Sequence, residues 1–265
     1  KLFRYIKEFR ERKVSADTIE HNLLRLYTYA GDNTLKYLEA DVLQALGDFY
    51  SDNNQKQSAA IENYVLAYSI YKNFSADEYP AKQGNIYTLG GMYYRYEDYD
   101  NAIKYMQEAL RLKQSTNKNI FCSISNTIGM AYRQMGRYDS AIVYFQKTYE
   151  NAVKLKNDAW VGIAQGNIGI TYFRQKKYAE AVPLLQKDIE SSLSTNNIRN
   201  GAGSMAILAT IYIEQQEYAK AEKILREALS IVESKPFWPY YPLGEQLFTQ
   251  MSKVYAAKKD YRLAY

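Results

Sequence analysis

One ordered pattern of small and aromatic residues recurs along the chain and limits the folds available to it. Residues 130–145 read MAYRQMGRYDSAIVYF, and a similar order returns in residues 91–106, 170–185 and 210–225. A small residue stands immediately before each stretch, followed by a Tyr three positions on, a second Tyr nine positions on and an Ala twelve positions on. Between successive second tyrosines the period is 39, 40, 40 and 43 residues. A period of this length indicates stacked structural repeats rather than a single globular core.

Each repeat reads as two helices joined by a short polar turn. Leu89 and Tyr93 are four residues apart and therefore share one face of the first helix, with Gly90 beside them. A Gly inside a helix costs about 1 kcal/mol relative to Ala, so its recurrence at one position predicts a close approach by the second helix. The small residues at this position are Gly47, Gly90, Gly129, Gly169, Ala209 and Ser252.

These residues resemble the tetratricopeptide repeat, which carries an apolar residue, a Gly and a Tyr on its helix A and an Ala on its helix B. The resemblance covers residues 34–265, and residues 1–33 fit as a degenerate helix pair. The period near 40 is similar to that of the long-helix members, including bacterial sensor and regulator modules. The resemblance implies an all-α fold, a right-handed α–α superhelix of about six to seven helix pairs.

The repeats predict one solenoid domain over residues 1–265, with its last repeat truncated. We interpret the sequence as a fragment of a longer chain. Within it, the stretch SKPFWPYYPLGEQ at residues 234–246 contains three prolines and is expected to be an extended linker.

Composition argues against several classes of partner. The 34 basic and 29 acidic residues give a net charge of +5 that is spread along the chain, whereas nucleic-acid binding usually requires a clustered basic face. We therefore expect this segment to bind no nucleic acid. No run approaches about 18 apolar residues without charge, so we expect no membrane span within it.

The sequence offers little for catalysis. His21 and Cys122 are the only residues of their types, so the chain has no His-based metal cluster and no internal disulfide. A Cys122–His21 pair could act as nucleophile and base, but Cys122 lies in a helix A pattern, where we expect a buried thiol. Glycine motifs for nucleotide phosphates are also missing. We expect no enzyme activity, no metal and no cofactor.

Helix geometry predicts one candidate surface on the A helices. With the recurring small residue as origin and about 100° per residue, positions −6, −3, +1 and +5 lie opposite the packing face, flanked by −2 and +4. Arg and Asn there could hydrogen-bond an extended peptide, and apolar residues could form pockets. Alternatively, the small residues only permit stacking and the arginines only meet the helix dipole. The predicted groove residues are Tyr87, Arg95, Asn126, Met130, Arg133, Asn167, Ile170, Phe173, Arg174, Thr210 and Glu214.

Two functions are consistent with this surface. The first is a non-enzymatic scaffold whose concave groove binds a protein or peptide segment. The alternative is a sensory input module of a larger bacterial signal-transduction protein, such as a transcription regulator or a sensor kinase. The resemblance to peptide-sensing regulators favours the alternative, as does our interpretation of the sequence as a fragment.

Overall fold

The structure, a computed structural model, describes residues 15–52, 56–112, 119–234 and 242–259. Regular secondary structure in these residues is entirely α-helical, in twelve helices. The predicted all-α helical-repeat fold is therefore confirmed. The chain divides into two compact units, Lys1–Lys118 (unit 1) and Asn119–Tyr265 (unit 2). The single domain expected over residues 1–265 remains a prediction.

Unit 1 contains five described helices. Helix α1 packs on α2, while α2 pairs with α3 and α4 pairs with α5. The bounds are α1 Ala16–Asp32, α2 Lys36–Ser51, α3 Gln57–Tyr71, α4 Lys82–Arg95 and α5 Tyr99–Leu112. Helix α1 corresponds to the second helix of the degenerate pair, whereas residues 1–14, which would hold the first, lie outside the described residues.

Unit 2 contains seven described helices, which alternate between A helices (α6, α8, α10 and α12) and B helices (α7, α9 and α11). Within unit 2, each A helix packs on the B helices next to it in the chain, and α6/α8, α8/α10 and α10/α12 also touch. The bounds are α6 Ile120–Gln134, α7 Tyr138–Lys154, α8 Asp158–Arg174, α9 Tyr178–Ser194, α10 Ile198–Glu214, α11 Tyr218–Glu233 and α12 Pro242–Ala257.

The recurring small residues face the partner helix, as the repeat predicts. A β-carbon built on Gly47 would lie 2.5 Å from the ring of Tyr64 in α3. One built on Gly169 would lie 3.2 Å from the backbone oxygen of Ala181 in α9. Ala181 is itself fully buried. Gly169 therefore meets the partner helix at a small residue, whereas Gly47 makes room for a ring, and in both cases the helix axes can approach.

The turn from helix A to helix B has the same backbone conformation in four repeats. One residue in each turn adopts a positive φ, and the next backbone N–H reaches back to the first repeat Tyr. In one case the backbone N–H of Arg137 donates to the backbone oxygen of Tyr132 at 2.9 Å. This geometry is the Schellman ending of a helix, which satisfies otherwise unpaired carbonyls. The positive-φ residues are Glu97, Gly136, Lys176 and Gln216.

The prediction of an extended linker over residues 234–246 is wrong at its C-terminal end, where the structure has a helix. Helix α12 begins at Pro242, in the first helical position, where the missing N–H would have no intrahelical acceptor and the fixed φ suits the helix. Residues 235–241 lie outside the described residues, as do residues 260–265 of the truncated last repeat.

Candidate binding surface

Three predicted groove residues join α6 to α8 through direct hydrogen bonds. The Arg133 guanidinium donates through Nη1 to Asn167 Oδ1 at 2.8 Å and to the Asn167 backbone oxygen at 3.3 Å. Asn167 in turn donates through Nδ2 to Asn126 Oδ1 at 2.8 Å. We call Asn126, Arg133 and Asn167 the amide network. It links two successive A helices at the surface that the sequence predicts as a groove.

The amide network is held in a partly buried position. Asn126 is 8% exposed, and the Arg133 guanidinium carbon lies 5.3 Å from the centroid of the buried Phe145 ring. A cation over an aromatic face gains about 0.5–1 kcal/mol when exposed and more when desolvated. The ring and the hydrogen bonds from Arg133 together fix the direction of the guanidinium, which limits the entropy that a ligand contact would lose.

Apolar groove residues lie next to this network. Met130 packs against the core cluster that contains Phe145 and Ile168. Ile170 and Phe173 pack against a second cluster around Leu185, and Phe173 also stacks on another ring at a centroid distance of 6.1 Å. All three groove side chains are half-buried, so each contributes to the core and keeps an exposed part.

Thr210 and Glu214 of α10 are engaged by residues that the sequence analysis did not select. Gln250 of α12 donates to Thr210 Oγ1 at 2.6 Å and to the Ala206 backbone oxygen at 3.0 Å. The Tyr178 hydroxyl of α9 donates a short hydrogen bond to the Glu214 carboxylate, and this bond raises the pKa of Tyr178. Gln250 occupies position −2 of its repeat, as Asn167 does, and this shared position was the signal in the sequence that could have identified it.

Three further groove residues, Arg174, Arg95 and Tyr87, lie on α8 and α4. Arg174 is exposed in the last turn of α8, where a cation meets the negative end of the helix dipole. Arg95 is likewise exposed in the last turn of α4, and Tyr87 is half-buried in that helix. Arg95 and Tyr87 belong to unit 1, while the other nine predicted residues belong to unit 2.

Side chains suited to catalysis are sparse in the described part of the chain. Cys122 is fully buried with its Sγ 3.9 Å from the Thr148 backbone oxygen, and burial raises the pKa of its thiol. The predicted buried thiol is confirmed. Among the described residues, no three His, Cys, Asp or Glu side chains are grouped so that they could hold a metal ion. Nor does any described helix combine the length and apolarity needed to cross a membrane.

Comparison with known proteins places the chain among helical repeats. Family models described as tetratricopeptide repeat match residues 85–116, 120–190 and 202–234. A curated relative, the uncharacterized protein ycf37 of Guillardia theta, is 35% identical over 63 residues, or 24% of this chain. That match spans 35% of the relative's own length.

Several solved structures share the fold. A signal transduction ATPase with numerous domains and a tetratricopeptide repeat sensor, from Pyrococcus horikoshii, aligns with a TM-score of 0.74 at 18% identity. The alignment covers 98% of this chain and 39% of that one. The apo form of RapI aligns with a TM-score of 0.70 at 14% identity, over 93% of this chain and 79% of its own. At these identities the similarity is one of fold.

Proposed function

This chain is a tetratricopeptide repeat protein, and from that premise we propose that it is a non-enzymatic scaffold that binds an extended protein or peptide segment along the A helices of unit 2. The observation that carries the proposal is the amide network of Asn126, Arg133 and Asn167, with its fixed donors beside apolar side chains. Repeat proteins of this kind generally bind other proteins through such stacked surfaces.

The chemistry of this surface suits a peptide backbone with acidic side chains. An extended peptide presents an unpaired carbonyl at every residue, and an Arg guanidinium offers five N–H donors in a planar fork. Arg133 lies at the end of α6 and Arg174 at the end of α8, so both add positive charge to the same ends of successive A helices. Met130 and Ile170 offer apolar contacts for alternate side chains of the ligand.

Charge along the surface gives the bound segment a direction. Arg133 and Arg174 favour an acidic part of the ligand near α6 and α8, whereas Glu214 at the end of α10 disfavours one there. In unit 1, Asp41 accepts a hydrogen bond from Tyr79 at 2.5 Å and Asp48 accepts one from Tyr64 at 2.8 Å. These carboxylates likewise oppose acidic ligands on α2.

A peptide-binding experiment tests the proposal. A library of ten-residue peptides is selected on the parent chain, and the affinities of the selected peptides are then measured by isothermal titration. Arg133→Ala with Arg174→Ala should weaken binding at least tenfold, since hydrogen bonds to charged groups contribute about 1.5–3 kcal/mol each.

The matched control removes two cations from the B helices. Lys147→Ala with Lys187→Ala takes the same charge from exposed positions of α7 and α9 and should change affinity less than twofold. Equal weakening in both double variants would mean that net charge alone attracts the peptides. Unchanged affinity in the double variant Arg133→Ala with Arg174→Ala would exclude this surface as the binding site.

The second candidate is a sensory input module of a larger bacterial signalling protein. This candidate is supported by the fold similarity to the Pyrococcus horikoshii protein, which contains a tetratricopeptide repeat sensor. The alignment covers 39% of that longer chain. A sensor must pass the effect of a ligand to distant helices, which requires a coupling free energy between the ligand site and those helices. Hydrogen exchange with a selected peptide separates the two candidates: protection that changes in α12 as well as in α6 and α8 favours the sensor.

A further inference from the structure

A carboxylate is buried where α8, α9 and α10 meet. Asp188 of α9 is 1% exposed, and no cation lies among the groups that hydrogen-bond it. Its Oδ1 accepts hydrogen bonds from Asn200 Nδ2 at 2.6 Å and from Ser192 Oγ at 3.1 Å. Its Oδ2 accepts a short hydrogen bond from Ser204 Oγ. Asn200 and Ser204 belong to α10, so the carboxylate connects two successive repeats.

Two glycines of α8 make room for this carboxylate. A β-carbon built on Gly166 would lie 2.6 Å from Asp188 Cγ, and one on Gly162 would lie 3.2 Å from Asp188 Oδ1. In the neighbouring repeats the position of Asp188 is filled by Thr148 and Ala228, both fully buried. Asp188 therefore places an ionisable group where the adjacent repeats have small uncharged side chains.

The surroundings of Asp188 favour its neutral form. Gly162 and Gly166 face it from α8, Asn200 and Ser204 from α10, and Ser192 from its own helix, and none of these side chains carries a charge. Burial raises the pKa of the Asp188 carboxyl, and the hydrogen bonds from Ser204, Ser192 and Asn200 offset this only in part.

We propose that protonation of Asp188 stabilises the contact between the repeat of α8 and α9 and the repeat that begins with α10. We call this contact the joint. When the carboxyl is protonated, its hydroxyl donates to Ser204 Oγ, and the other oxygen keeps the hydrogen bond from Asn200. When the proton is released, a negative charge remains among neutral groups, and the joint loosens because water must approach to solvate it. The proposal concerns the joint itself and holds whether or not the neighbouring A helices bind a peptide.

The sign of the pH dependence follows from linkage. The folded state holds this proton to a higher pH than the unfolded chain, where an Asp titrates near about 3.9. The extra stability is therefore complete below that pH and is lost as the pH rises through the folded-state midpoint. The unfolding equilibrium constant should rise about tenfold for each unit by which that midpoint exceeds the ordinary Asp value.

Carboxyl carbon NMR of the parent chain, labelled with carbon-13 at aspartate, tests the titration. The Asp188 resonance is assigned by its loss in Asp188→Asn, and we expect a midpoint clearly above that of the exposed aspartates. Ser204→Ala removes one donor to the carboxylate and should move the midpoint higher still. This variant also assigns the resonance if Asp188→Asn does not fold. A midpoint equal to that of the exposed aspartates would overturn the proposal.

Denaturant unfolding between pH 4 and pH 8 tests this dependence on protonation. The free energy of unfolding of Asp188→Asn should exceed that of the parent by a growing amount as the pH rises. Hydrogen-exchange protection at residues 198–204 of the parent should fall over the same range. Glu190→Gln, at an exposed position of the same helix, is the control. Its difference from the parent in free energy of unfolding should show no such increase with pH. Parallel pH profiles for the parent and Asp188→Asn would show that protonation of Asp188 does not control the joint.

Discussion

Gly129 of α6 lies directly against the ring of Phe145 in α7: a β-carbon on this glycine would stand 2.6 Å from Cε1 of the ring. Phe145 is fully buried, and Ala141, one turn earlier in α7, is buried with it. The glycine therefore forms the base of a pocket that the ring fills. Gly47 and the ring of Tyr64 repeat this relationship in unit 1, at 2.5 Å.

Substitution of Gly129 tests this packing. Gly129→Ala should lower the free energy of unfolding by about 1–3 kcal/mol, because the added methyl group must displace a fully buried ring. Thermal and urea unfolding followed by circular dichroism would measure the change.

Gly203 provides the matched control in α10. Among the described residues, no heavy atom outside its own helix backbone and its chain neighbours lies within 4 Å of a β-carbon built there. Gly203→Ala should therefore raise stability by about 0.5–1 kcal/mol, the usual difference between Ala and Gly inside a helix. If both variants gained stability, the glycine at position 129 would have no packing role.

Asn167 is expected to be needed for the joint between α6 and α8. Asn167→Ala removes the donor to Asn126 Oδ1, which is buried, and the side-chain acceptor of Arg133. A buried polar group without a partner costs about 1–3 kcal/mol, so unfolding should become easier by about that amount.

Asn151→Ala is the comparison for this loss, measured by denaturant unfolding. Among the described residues, the Asn151 side chain donates only to the Lys147 backbone oxygen of its own helix, at 2.9 Å. Its removal should change stability by less than about 0.5 kcal/mol, as is usual at the surface. Equal effects at the two positions would mean that Asn126 and Arg133 find other partners.

The left-handed residue of the A–B turn predicts opposite effects at two equivalent positions. Lys176 has φ 58° and Gly136 has φ 72°. A left-handed conformation costs a non-glycine residue about 1–2 kcal/mol. Lys176→Gly should therefore raise the melting temperature, while Gly136→Ala should lower it. Differential scanning calorimetry would compare the two variants, and a gain in both would argue against backbone strain as the cause.

The sequence by itself determined the helical repeat. The recurrence of Gly129 with Tyr132 and Ala141 defines one A–B pair, and the same spacing predicts the others along the chain. This succeeds because each repeat depends mainly on local periodicity and on contacts with its neighbours. The polar turn between the helices could also be read from the sequence, although its left-handed residue is a Gly in only one of four cases.

The tertiary structure decided which side chains meet at the joints. Angular position alone placed Asn126 and Asn167 on the same side of their helices, but not their contact at 2.8 Å or the third partner, Arg133. Because Asp188 follows Leu185 by three residues, the periodicity places it on the buried side of α9. The periodicity does not show that Asn200 and Ser204 of α10 hydrogen-bond its carboxyl group. Periodicity fixes the direction of a side chain about its own helix, whereas a contact between helices depends on their relative rotation and offset, which all the side chains at the joint set together.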